Sequence, residues 1–254
     1  MQANELRELQ MKELEMLLEV ERICQKHAIT YYLIGGSALG AVRHGGFIPW
    51  DDDVDIALPR SDYLRFLKIC AQELQGSYYL QTYQTQPHFP FSYAKIYRHN
   101  TTFIEPYLAK LRIHHGIFID VFPLDGVPHL PLFRMIQDIF FKVVRRIPIG
   151  KSRRLTFWRC WSMDWIISRV STDLAENWAN HIGGAREIMD RRIFGAPRRI
   201  QFEGHDLPVP NQCEKYLANL YGDFMELPSV DQRHGHQPLV VDVNKSYREY
   251  LGHR

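Results

Sequence analysis

The sequence predicts an α+β fold, with strands and helices interleaved through residues 1–130 and mainly helical segments through 131–254. Three observations lead there. Leucines recur at helical intervals near the N-terminus, a β-prone run breaks at a double glycine after Tyr31, and two later strand-like runs each carry aspartate within apolar sequence. With 254 residues, 45% hydrophobic and 24% charged, the chain has enough apolar material for a core without disulfides or structural metals. That balance excludes a disordered or fibrous chain.

Leu6, Leu9, Leu14, Leu17, Leu18 and Ile23, with Glu5, Glu8, Glu15 and Glu19 between them, predict an amphipathic helix over 4–27. Tyr31 to Ile34 reads as a buried strand that stops at the turn Gly35-Gly36. Ser37 to Arg43 then forms a short helix capped by Ser37 and broken by His44-Gly45-Gly46. From Asp53 to Leu58 polar and apolar residues alternate, so a strand there places Asp53 and Asp55 on one face and Val54 and Ile56 on the other. A helix from Ser61 to Leu74 turns Tyr63, Phe66, Leu67 and Cys70 inward, and strands follow at 78–82 and 93–97. Ile117 to Phe122 is a nearly continuous apolar strand interrupted only by Asp120, an acid that needs a reason to be there. Leu174 to Arg254 carries mixed helix and turn signals, with a helix at 214–221. No repeat or low-complexity linker marks a boundary; 1–130 reads as a core and 131–254 as a helical, partly basic region completing it, or the whole as one domain.

The formal charge of +2, from 31 Lys and Arg against 29 Asp and Glu, is too even for a surface that wraps nucleic acid, and no groove-reading motif is present, so no nucleic-acid partner is expected. Cys24, Cys70, Cys160 and Cys213 form no C-x-x-C pair and fit reduced thiols in a cytosol. The start of the chain lacks a signal-peptide pattern, and there is no run of about eighteen apolar residues to span a bilayer. The expected location is therefore cytoplasmic. Arg134, Lys142, Arg145, Arg146, Lys151, Arg153, Arg154, Arg159 and Arg169 stand against Asp138 and Asp164, a local +7, beside Trp158, Trp161 and Trp165. That segment is either a solvated face over a core stripe or a peripheral contact with anionic lipid at the inner face of the plasma membrane.

The chemistry concentrates in Gly35-Gly36-Ser37, Asp53, Asp55 and Asp120. Carboxylates converging on one point repel unless hard divalent cations sit between them, which points to Mg2+ or Mn2+. A Gly-Gly-Ser turn opening a helix offers backbone N–H groups and a hydroxyl with no side chain to block a phosphate. Metal on one side and amides on the other make a cradle for a diphosphate.

The run from Ile34 to Ile56, I-G-G-S-A-L-G-A-V-R-H-G-G-F-I-P-W-D-D-D-V-D-I, resembles the signature of the LicD family of phosphotransferases, relatives of fukutin within the nucleotidyltransferase-fold superfamily typified by DNA polymerase beta. The resemblance continues through Lys95, 101–105, 116–126, Val209-Pro210 and 221–224, and is weakest across the basic middle. It implies a mixed sheet flanked by helices and two divalent ions, with Asp53 and Asp55 as their ligands and Asp120 as the third carboxylate. It also implies transfer of a phosphorylated alcohol, usually phosphorylcholine and in some relatives ribitol or glycerol phosphate, from a CDP-linked donor such as CDP-choline to a sugar hydroxyl of a glycan or lipid-linked oligosaccharide, releasing CMP. Asp120 is then the candidate acceptor of the hydroxyl proton. Arg43 and Lys95 match basic positions of the pattern and are candidates for the diphosphate. A nucleotidyltransferase using an NTP and a catalytically silent adaptor are the competing readings.

Among the remaining candidates, Asp51 shares the face of Asp53 if the strand begins early, whereas Asp52 points away and bonds the turn. Arg43 is equally a structural partner for either acid, and Lys95 a surface lysine on an edge strand. Trp50 is a candidate for an aromatic box around choline or a core residue after Pro49. Asp125 caps a turn before Gly126, and His234 and His236, an H-x-H pair without a readable third ligand, fit an exposed loop better than zinc.

Overall fold

The computed structural model describes residues 1–74, 76–86, 88–148, 152–170, 174–181 and 184–251; Lys151 of the basic segment lies outside them. The first part of the chain runs α1 (Ala3–Lys26), β1 (Tyr32–Leu33), α2 (Gly35–His44), β2 (Asp55–Pro59), α3 (Arg60–Glu73), β3 (Tyr78–Gln81), β4 (Ala94–Arg98), β5 (Thr102–Ile104) and β6 (Phe118–Gly126). It continues with α4 (Pro131–Val144), α5 (Arg153–Ile167), β7 (Asn177–Ala179), β8 (Met189–Asp190), α6 (Arg191–Phe194), β9 (Arg198–Phe202) and β10 (His205–Val209). The last elements are α7 (Cys213–Tyr221), β11 (Val240–Asp242) and α8 (Arg248–Leu251).

The central sheet has the order β1-β2-β6-β4-β3 and is mixed. Strands β2 and β6 are parallel, with α3, β3, β4 and β5 between them along the chain, and the other pairs on this path are antiparallel. Every residue of β6 is buried, as a central strand covered on both faces requires, and this explains its apolar run. Register sets the site: Asp55 lies beside Asp120, Asp120 beside Lys95, and Lys95 beside Gln81. Neighbours in register share a sheet face, so these four side chains form one row across four strands.

Three boundaries differ from the sequence reading. Ladder pairing begins at Asp55, so Asp53 precedes β2 rather than lying in it. Helix α2 begins at Gly35 with Ile34 as its N-cap, so Ser37 sits in the first turn and is not the cap. Strand β6 runs on to Gly126, which makes Asp125 a strand residue and not a turn cap. Its carboxylate takes both ends of a bidentate pair with Arg60, Nε to Oδ1 at 2.6 Å and Nη2 to Oδ2 at 2.7 Å, while Arg60 Nη1 reaches Asp164 Oδ1 at 2.8 Å. Tyr83 Oη donates to Asp164 Oδ2 at 2.9 Å and completes a network that fastens α5 to the sheet.

The C-terminal segment contains more strand than its turn signals predict. Residues 198–209 form the β9–β10 hairpin, β7 extends the edge of β6 at Asp125 and Gly126, and β11 pairs with β5. Most of the core is one cluster, containing Leu9, Leu17, Ile56, Phe66, Ile119, Phe194 and Tyr216. A second, small cluster of Phe141, Val144, Met163 and Ile167 holds the α4–α5 hairpin together. No helix among the described residues is long and apolar enough to cross a membrane.

Candidate active site

The acidic loop is built from three sides. From α1, Gln10 Nε2 donates to the carbonyl oxygens of Ile48 at 3.2 Å and Asp51 at 2.9 Å, fixing the chain just before the acids. Ser37 Oγ accepts the backbone N–H of Asp55 at 2.9 Å and ties α2 to β2; it is therefore committed to the scaffold. On the third side, Tyr216 of α7 accepts the N–H of Gly35 at 3.0 Å.

Gly35 opens α2 at φ +53°, a conformation that favours glycine. A Cβ there would lie 3.1 Å from Asp55 Oδ2, and one at Gly36 would lie 2.7 Å from Asp51 Oδ2. The two glycines therefore face the carboxylates without a side chain between. The expected glycine cradle and the expected acids are neighbours in space.

The electrostatics are those of crowded anions. Burial, reinforced by Asp53, Asp120 and Asp51, pushes the Asp55 carboxyl well above the usual range. Asp51 is raised by burial and by Asp53 and Asp52. Burial also raises Asp53, against the opposing pull of His236. The Asp120 carboxyl is pushed up to about 6 by burial, despite the lowering effect of Lys95. Lys95 Nζ stands 3.0 Å from Asp120 Oδ1 in ion-pair but not hydrogen-bond alignment, and that buried oxygen keeps unused acceptor capacity. An all-oxygen donor set that is mutually repulsive and only partly satisfied fits a hard divalent cation.

Lys95 is not a surface residue on an edge strand. It is 1% exposed on β4, between β6 and β3, with its ammonium 3.6 Å from Glu105 Oε2 and 3.3 Å from the centroid of the Phe118 ring. Glu105 is held in turn by Tyr107 Oη at 2.7 Å. Arg43 Nη1 donates to the carbonyl oxygens of Phe224 at 3.0 Å and Glu226 at 3.4 Å, on the segment after α7. Trp50 is half-buried, with Arg233 over its ring at 5.1 Å.

Asp52 does point away from the row, and it is 2% exposed because it clamps the C-terminal loop. Its carboxylate accepts the His236 backbone N–H at 3.0 Å and lies 2.9 Å from Nδ1 of the same ring. This pairing raises His236 to about 9 and adds a positive charge near Asp53, whose Oδ2 is 3.8 Å from Nε2. Asp52, Asp53 and His236 are the group of three metal-ligand-type residues whose donor atoms lie within 4.8 Å among the described residues; Asp55 and Asp120 are more widely set. His234 and His236 are both exposed, as the sequence reading has it, and His236 in addition reaches Asp52 and Asp53.

Sequence reasoning missed Glu13, gave Glu105 no role beyond its place in the 101–105 segment, and weighed His236 only as part of an exposed loop. Glu13 is 1% exposed on α1, and burial together with Asp53, Asp52, Asp51 and Asp55 raises it well above the ordinary range. A signal for it was present: it stands four residues after Leu9 and four before Leu17, on the helix's apolar stripe. His236 was visible as half of an H-x-H pair, but its partner Asp52 lies 184 positions away and their pairing had no signal.

Residues 28–142 match the model of the LicD/FKTN/FKRP nucleotidyltransferase domain. The chain is 29% identical over 259 aligned positions to the lipopolysaccharide cholinephosphotransferase LicD of Haemophilus influenzae, covering 91% of this chain and 95% of the relative. It is also 44% identical over 55 positions to the ribitol 5-phosphate transferase FKRP of Homo sapiens, 22% of this chain and 10% of that one, and 38% identical over 64 positions to an uncharacterised protein of Rickettsia typhi, 25% of this chain and 21% of that one. The stretch from residue 28 to residue 142 that matches the LicD family model holds Asp51, Asp52, Asp53, Asp55, Glu105 and Asp120.

Proposed function

We propose that this protein is a phosphotransferase that moves phosphorylcholine from CDP-choline to a hydroxyl of a cell-surface glycan or its lipid-linked precursor, releasing CMP. One observation carries the reading: the row Asp55, Asp120 and Lys95 lies beside a helix start whose two glycines, lacking Cβ atoms, let the carboxylates of Asp55 and Asp51 close on its backbone. The extended likeness to a lipopolysaccharide cholinephosphotransferase supports the cargo and the acceptor class.

In this reading Asp53, Asp55 and Asp120 hold two divalent ions, Mg2+ or Mn2+. Such ions, when bound, polarise donor phosphates and lower the pKa of an acceptor hydroxyl. Asp120, with proton affinity raised toward neutrality, receives the acceptor proton. The acceptor oxygen bonds to the phosphorus bearing the alcohol as the bridge to CMP breaks. Gly36 and Ser37 offer backbone N–H groups to the diphosphate, since the N–H of Gly35 is given to Tyr216. Arg43, held by two carbonyl oxygens, supplies counter-charge. Lys95 acts through Asp120: its ammonium, braced by Glu105, fixes that carboxylate and is a positioning group.

The match to a ribitol 5-phosphate transferase favours one second reading, ribitol phosphate as cargo with the same chemistry. CMP release from CDP-choline, CDP-ribitol and CDP-glycerol with Mg2+ or Mn2+ separates the cargoes. Pyrophosphate release from an NTP, with no CMP from any CDP-alcohol, would overturn the reaction class. Asp53→Asn with Asp120→Asn should lower the rate at least about a thousandfold.

A further inference from the structure

The α4–α5 hairpin turns apolar residues outward on both helices. On α4, Leu132, Ile136, Ile139 and Val143 recur at i, i+4, i+7 and i+11, and each is 48–60% exposed. They lie opposite the stripe of Gln137, Phe141 and Val144 that the helix buries. On α5, Trp158, Trp161 and Trp165 recur at i, i+3 and i+7 and are 59%, 38% and 46% exposed, opposite buried Thr156, Cys160, Met163 and Ile167. The three indoles touch one another in series, with ring centroids 4.9 and 6.3 Å apart, and Arg169 lies 4.4 Å from the Trp165 ring centroid.

A helix that is apolar on two opposite sides has a second environment to bury its outer side. The charges identify it. Lys142, Arg145, Arg146, Arg153 and Arg154 are all exposed on or beside these helices. Asp164 is neutralised inward by Arg60, which leaves Asp138 as the exposed acid of the two helices. Two copies packed face to face would bring these cations together, whereas an anionic surface pairs with them. Tryptophan, with an apolar body and one N–H, suits the boundary between headgroups and acyl chains. We infer that the α4–α5 hairpin is a membrane-docking element that lays its tryptophan and aliphatic stripes into the interface of an anionic lipid bilayer, with the flanking basic residues on the headgroups. The inference does not rest on the chemistry assigned to the acid cluster.

The test uses the full chain and vesicles of phosphatidylcholine with or without phosphatidylglycerol, at low and moderate salt. Co-sedimentation with the anionic vesicles is expected, with tryptophan emission quenched by brominated acyl chains. Trp158→Ser with Trp161→Ser and Trp165→Ser should lower partitioning at least about tenfold, and Arg153→Gln with Arg154→Gln by about fivefold per charge. If the tryptophan variant does not fold, the charge variant and the quenching decide. Failure to bind anionic vesicles at low salt, equal binding to neutral vesicles, or a stable dimer that buries the indoles without lipid would each overturn the assignment.

Discussion

Replacing Lys95 with methionine removes the cation that two buried carboxylates share. Its ammonium is 3.0 Å from Asp120 and 3.6 Å from Glu105; at an effective dielectric of about 20 these separations correspond to gross attractions of roughly 5.5 and 4.6 kcal/mol. Desolvating three charges offsets most of that, so the expected net loss is about 3–5 kcal/mol, the usual cost of leaving a buried charge without its partner. The loss also depends on pH. Asp120 already titrates near 6, above its unfolded value, so the native state takes up a proton as pH falls and gains stability in doing so. Without Lys95 its pKa rises further, and the deficit of Lys95→Met relative to wild type should be larger at pH 8 than at pH 5. Urea unfolding of both proteins at the two pH values, without divalent ions, measures this. A loss below about 1 kcal/mol at pH 8, or the same loss at both pH values, would refute the role given to Lys95.

Asp55→Asn should separate stability from function: it removes a carboxyl whose pKa burial, Asp53 and Asp120 push up, so the metal-free protein gains about 1–2 kcal/mol at pH 8 by urea unfolding, while CMP release is lost. Gly36→Ala drives a methyl to 2.7 Å from Asp51 Oδ2; the expected results are a loss of about 1–3 kcal/mol in the same assay and a higher donor KM. Asp125→Ala leaves the buried Arg60 without its bidentate partner and should cost about 3–5 kcal/mol, read as a lowered urea midpoint.

Much of the site was legible because it is local in sequence. Gly35, Gly36, Asp53 and Asp55 lie within one strand, helix and loop, and the acid inside β6 announced itself by breaking an apolar run. The alternation argument reached the right neighbourhood with an imperfect strand, since ladder pairing starts at Asp55 and Asp53 is held near it by the preceding loop. Lys95 could not be read in the same way. Flanked by Ala94 and Ile96 it looks like any strand lysine, and only the pairing of β4 between β3 and β6 buries it beside Asp120. The Asp52 clamp on His236 depends on contact across 184 positions, for which periodicity carries no information. The β9–β10 hairpin was hidden by Pro208, a turn former that a two-stranded ribbon tolerates, and by Pro210 just after it.

The central claim, that the acids beside Gly35 and Gly36 bind divalent ions, is tested most directly by titrating Mn2+ into the metal-free protein and following free Mn2+ by electron paramagnetic resonance. Wild type should take up the ion, and the paired variant Asp55→Asn with Asp120→Asn, still folded by circular dichroism, should not. Uptake unchanged in that variant would contradict the account.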